Sequence, residues 1–149
     1  MTSITLSGHH DSLREGAALG LIVATATWLW LAAVDAVVGE PFRTFTVLGG
    51  IASFTAIHYS LNVAYGVVIV SAIHGAVRVP SLTLAVAFGF LMIEFAFALV
   101  TIMLSASQLG QLAWLRIFGG SLLGAAIAIA VLARRHPLVA MLRQAEEEN

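Results

Sequence analysis

His58, Asn62 and Tyr65 stand four and then three residues apart within residues 57–75, an apolar run long enough to cross a bilayer. On a helix this spacing puts the three side chains on one face, and Thr55 extends the same stripe a turn earlier. Hydrocarbon cannot satisfy an imidazole, an amide and a phenol, so they must meet protein partners, a ligand or an ion. Glu94 has a similar setting, flanked by Phe88, Phe90, Phe95 and Phe97. An imidazole beside a carboxyl can share one proton, and the charge of the pair then responds to pH, to a cation or to a bound ligand. Imidazole and carboxylate also ligate iron, zinc or copper, which makes His58 and Glu94 the candidate metal residues.

The surrounding chain is that of a membrane protein. Its 149 residues are 60% hydrophobic and 10% charged, and the mean hydropathy is +0.97. Soluble domains carry about 25% charged residues, and so short a chain has too little interior to hide this much apolar surface. A net charge of -1 with no long basic run leaves no electrostatic footprint for nucleic acid. The absence of cysteine removes disulfides, thiolate metal sites, iron–sulfur clusters and covalently attached c-type haem.

Hydropathy and helix breakers divide the chain into a polar segment at 1–15, spans at about 16–38, 45–77, 82–105 and 111–133, and a tail at 137–149 that runs from amphipathic to acidic. The expected fold is all-α, a polytopic membrane protein whose four transmembrane helices form an up-and-down bundle in a single domain. Ser12 and Glu15 have the spacing of a capping box, so the first helix is expected to open there. The run that follows is too long for a signal-peptide core and reads as an uncleaved anchor, while His9, His10 and Asp11 read as solvated. Trp28 and Trp30 lie mid-span rather than at an interface, so they are expected to pack against other helices or to line a pocket. Gly49, Gly50 and Gly66 allow a kink or close helix contact. Gly120, Gly124 and Ala128 form a small-residue stripe suited to helix packing and to contact between copies of a homo-oligomer.

A rise of ~1.5 Å per residue allows heights to be compared across the bundle. His58 falls ~4.5 Å outward of the midplane, Asn62 ~1.5 Å inward and Glu94 ~1.5 Å outward, so a contact between His58 and Glu94 on consecutive antiparallel helices is expected. The same arithmetic places Asp35 and Arg116 at ~10 and ~9 Å outward, as a charge pair joining the first and fourth helices. His74, ~160° around its helix from His58, should face elsewhere, near the membrane surface. Arg14, Arg78, Arg134, Arg135 and Arg143 fall on one side and Arg43 and Arg116 on the other, which predicts cytoplasmic termini in an inner (plasma) membrane.

These residues suit three roles. The first is a binding or permeation site for a proton, small cation or small polar molecule, built from His58, Asn62, Tyr65, Glu94 and Thr55 and conducting as a homo-oligomer. In the second, the same residues are inter-helix glue in a structural subunit of a membrane complex. The third, a metal- or haem-binding redox subunit, is short of ligands, since no second histidine lies level with His58 on another span and no Glu-x-x-His motif is present. The sequence specifies no cofactor. Ser60 and Ser71 lie near histidines but lack a base-and-acid arrangement, so an enzyme is not expected.

Overall fold

The computed structural model describes the backbone of residues 7–76 and 80–135, and side chains at residues 12–74, 88, 89 and 91–135. Arg78, Arg143 and the acidic tail lie outside the described residues, as do the side chains of His9, His10, Asp11 and Phe90. The elements are α1 (Ser7–Val37), α2 (Arg43–Val47), α3 (Ile51–Ala76), α4 (Pro80–Leu109) and α5 (Gly119–Arg135). Between α4 and α5 the chain makes a 3-10 turn (Gly110–Leu112) and a π-helical turn (Trp114–Phe118). Ser12–Val37, Ile51–His74, Leu91–Leu112 and Trp114–Arg135 are each long and apolar enough to cross a bilayer. The protein is a multi-pass, all-α membrane protein organised as a four-helix bundle. Large apolar side chains such as Leu29, Ile57, Leu61, Ile93, Leu104 and Ile129 are exposed, as expected of a surface whose solvent is lipid.

Packing is uneven around the bundle. Among the described residues α1 is the hub, lying most extensively along α3 and then along α5, whereas α4 meets α3 and α5 more sparingly. The reason is a run of small residues at Gly16, Gly20 and Ala24 on α1, opposite Gly66 on α3. A Cβ built on Gly16 would lie 2.8 Å from the Gly66 carbonyl oxygen, and one on Gly20 would lie 2.6 Å from Val63 Cα. Backbone thus touches backbone, and no side chain fits between. On the other flank of α1, a Cβ on Gly124 would meet Thr27 Oγ1 and Val23 Cγ1 at 3.1 Å, and one on Gly120 would meet Thr27 Cγ2 at 3.2 Å. Gly120, Gly124 and Ala128 are all buried against the same chain, so this stripe is not a contact between copies.

Several sequence expectations are corrected. Residues 45–77 do not form one helix. Gly49 (φ 106°) and Gly50 (φ 94°) adopt consecutive left-handed conformations that end α2 after five residues, and α3 starts at Ile51. Phe45 and Thr44 of α2 are fully buried, so this short helix is a lid on one end of the bundle. The first helix does not open at the capping-box spacing either, because α1 already runs from Ser7 and Ser12 lies buried within it. The third span reaches Leu109, four residues beyond the expected boundary, and Gly110 (φ 62°) makes the turn.

The α1–α3 contact should be intolerant of any added side chain. Gly20→Val should destabilise the protein by about 1–3 kcal/mol, read as a lower unfolding midpoint in detergent, because the displaced atoms are backbone. Gly89→Ala, where a Cβ meets nothing within 4 Å, should be neutral or slightly stabilising. Equal effects of the two substitutions would refute the packing account.

Candidate functional site

The polar stripe of α3 divides between two environments. Thr55 Oγ1 accepts a hydrogen bond from Trp28 Nε1 of α1 at 3.0 Å. His58 Nε2 lies 3.2 Å from the Ala24 carbonyl oxygen, also on α1. A carbonyl only accepts, so the imidazole proton belongs on Nε2, and Nδ1 is left to accept from the Asn62 amide nitrogen 3.4 Å away. That amide also donates to the His58 carbonyl at 2.8 Å, and Phe54 stacks on the imidazole at 5.1 Å and 13°. Tyr59, on the flank of the stripe, adds a further tie to α1 through Thr25 Oγ1 at 3.0 Å. The expected contact between His58 and Glu94 is therefore not formed. The glycine interface draws α3 against α1, and the imidazole is consumed there instead of facing α4.

Glu94, Asn62, Tyr65 and His58 nevertheless line common space. A central cavity of about 120 Å³ lies between α1, α3, α4 and α5, walled also by Thr27, Thr101 and Ser121, with room for several water molecules. It adjoins a larger cleft of about 660 Å³ between α3 and α4. Ile57, Leu61, Ile93, Val100 and Leu104 form the rim of the cleft, and His58, Asn62, Tyr65, Glu94, Thr101, Ser105 and Gln108 contribute its polar groups. Because the rim residues are exposed apolar side chains of membrane-spanning helices, the cleft opens sideways toward lipid. Tyr65 and Glu94 both line it. Among the described residues Glu94 has no hydrogen-bond or ion-pair partner.

Along the bundle axis the cavity is closed at both ends. At one end Leu19, Ile69, Val70, Ile73, Ala128 and Leu132 form a buried cluster. Beyond it Ser12 Oγ lies 2.6 Å from His74 Nδ1, while Glu15 sits 3.7 Å from both His74 Nε2 and Arg135 Nη1, which clasps α1, α3 and α5 together. The serine, histidine and glutamate resemble a nucleophilic triad only in composition. Ser12 is buried within α1, and its own N–H and those after it belong to the helix ladder.

The other end is closed by the pair that the height arithmetic joined. Arg116 Nε stands 2.9 Å from Asp35 Oδ1, and both side chains are essentially inaccessible, at 1% and 0% exposure. This nitrogen is poorly aimed for a hydrogen bond, so the contact is an ion pair and the directional bonds come from elsewhere. Thr44 donates its N–H to Asp35 Oδ2 and its hydroxyl to Oδ1, both at 2.7 Å. Arg116 Nη2 donates to Glu40 Oε2 at 2.8 Å, and Nη1 donates to the Leu109 carbonyl at 3.3 Å. Sequence reasoning missed Thr44 and Glu40, although both lie within nine residues of Asp35, the range of a tight return loop. Trp30 Nε1 donates to the Leu115 carbonyl in the π-helical turn at 3.2 Å, so both mid-span indoles have protein acceptors.

For a metal, His58 and Glu94 do not converge, and no group of three or more histidine, aspartate or glutamate side chains comes together among the described residues. Compared with known proteins, the chain matches no family model, no curated protein and no solved structure.

Arg116→Met would leave the Asp35 carboxylate buried beside Thr44 alone and should cost about 3–5 kcal/mol. Adding Asp35→Asn should recover a large part of that loss, because it removes the stranded charge and keeps an acceptor for the Thr44 N–H. Midpoints of the single and double variants check this, and additive losses would contradict the ion-pair assignment.

Proposed function

We propose that this protein binds a small amphipathic molecule drawn from the bilayer into the cleft between α3 and α4. The observation that carries the reading is the cleft itself. Its volume lies in the range of about 300–1,000 Å³ typical of small-molecule sites, and its walls are mostly apolar with a few convergent polar groups. Intramembrane ionisable residues are costly, and such groups commonly mark a ligand or ion site. A sideways opening favours a molecule with an apolar body and a polar head over a hydrated ion. The closed ends of the cavity argue against a continuous pathway through one copy of the chain, so binding is preferred to conduction and to catalysis.

A second reading, inter-helix glue, is favoured for part of the polar layer. Thr55 and His58 are occupied by Trp28 and the Ala24 carbonyl, and they serve the α1–α3 joint. Glu94 is the group placed to meet a ligand head, and Tyr65, Asn62 and Thr101 line the cleft beside it. Self-association, if it occurs, would use a face other than the Gly120 stripe. We place the Glu15 end of the bundle on the cytoplasmic side, because Arg14, Arg134 and Arg135 gather there.

The test uses the full chain in lipid nanodiscs and a long-chain alcohol bearing a photoactivatable diazirine. Crosslinks mapped by peptide mass spectrometry should concentrate on residues 54–65 and 93–104. Thr101→Trp, which fills the cleft, should abolish them while leaving weak labelling at Leu29 and Ile129 unchanged. Labelling spread evenly around the lipid-facing belt and indifferent to Thr101→Trp would overturn the reading.

A further inference from the structure

We infer that the ligand of the α3–α4 cleft is a lipophilic cation, an ammonium or similar positive head on an apolar body, with Glu94 as its counter-charge; this rests on the reading of the cleft as a ligand site. Among the described residues no arginine or lysine lines either cavity, and the charge-capable groups there are His58, Tyr65 and Glu94. His58 is engaged with the Ala24 carbonyl and with Asn62. Asp35, the fully buried carboxylate among the described residues, is answered by Arg116 and Thr44. Glu94 alone faces open space without such an answer among the described residues, in a cleft that an apolar molecule can reach from lipid.

Ligand classes can be separated by what they would do to that carboxyl. An anionic head would meet repulsion from Glu94 and find no basic side chain. A neutral head would leave a carboxylate unpaired in a poorly hydrated site, which is costly unless the group holds a proton. A cation pairs with the carboxylate directly. Phe54, Phe97 and Tyr65 on the same walls add attraction between positive charge and ring faces, an effect that grows when the site excludes water. The cleft also gives the apolar body a place among Ile57, Leu61, Ile93 and Leu104.

Because ligand and proton would compete for one carboxyl, binding should weaken as pH falls. The ionisable groups facing Glu94 are Tyr65 and His58 of α3, while α1 and α5 contribute only Thr27 and Ser121 to the shared cavity as polar neighbours.

The experiment compares two diazirine probes of equal chain length in nanodiscs, a permanently charged alkyl trimethylammonium and the corresponding alcohol. Reading each probe as the ratio of cleft labelling in wild type to that in Glu94→Gln cancels their different partition into lipid. The expected ratio is at least about tenfold for the ammonium and near one for the alcohol. In wild-type protein, ammonium labelling should also fall as the pH is lowered while alcohol labelling holds steady, which keeps the test available should Glu94→Gln not fold. Equal ratios for the two probes, or ammonium labelling that ignores pH, would overturn the cationic assignment and leave the cleft reading intact. Absence of cleft labelling by either probe would overturn both.

Discussion

Contact between the backbones of α1 and α3 governs the rest of this bundle. Between membrane helices there is little hydrophobic drive, since lipid tails are as apolar as the side chains they would displace, and association depends on close packing and polar bonds. Gly16 and Gly20 on one helix and Gly66 on the other bring the axes near enough for Trp28 to reach Thr55, for His58 to reach the Ala24 carbonyl and for Tyr59 to reach Thr25. With α5 seated on the opposite flank of α1 through Gly120 and Gly124, three helices form a tight unit. Among the described residues, no comparable run of small residues on α4 meets α3, and the cleft lies between the two helices.

Among the described residues, the contacts that hold α4 lie in its C-terminal half. Ala98, Ile102 and Leu109 pack with Ala113 and Ile117, and the Arg116 guanidinium bonds the Leu109 carbonyl at the helix end. The same arginine pairs with Asp35 and Glu40, so one buried cation joins the end of α1, the loop after it, the lid formed by α2 and the α4–α5 turn. Burying these charges is expensive, and the full set of oxygen partners is what makes the arrangement tenable. The ion pair and the glycine contact therefore have different tasks, the first closing an end and the second setting a spacing.

Much of this was legible in the sequence, and the failures have physical causes. Span number and the level of Asp35 with Arg116 follow from a constant rise per residue, which is insensitive to how helices rotate. The partner of His58 depends on rotation and on which neighbours pack closest, and heights carry no such information. The clue lay in Gly16 and Gly20, a pair four residues apart with Ala24 one turn on, equal in kind to the Gly120 stripe but sitting next to the polar segment. Gly49 and Gly50 read as a kink when they are a break, because two adjacent residues with positive φ cannot be accommodated in a continuing helix. Glu94 lines the same cavities as His58, yet its surroundings are defined by the gap beside α4 and could not be inferred from spacing.

A ligand site reached sideways between helices, as proposed for the α3–α4 cleft, would be filled from the acyl-chain phase and not from water. The concentration that matters to it is moles of solute per volume of hydrocarbon, which for an amphiphile exceeds the aqueous value by its partition coefficient. Modest contacts inside such a site suffice for high occupancy at low aqueous dose. Any dissociation constant expressed per litre of buffer would then vary with the amount of lipid in the sample, and mole fraction in the membrane would be the natural scale for the proposed ligand.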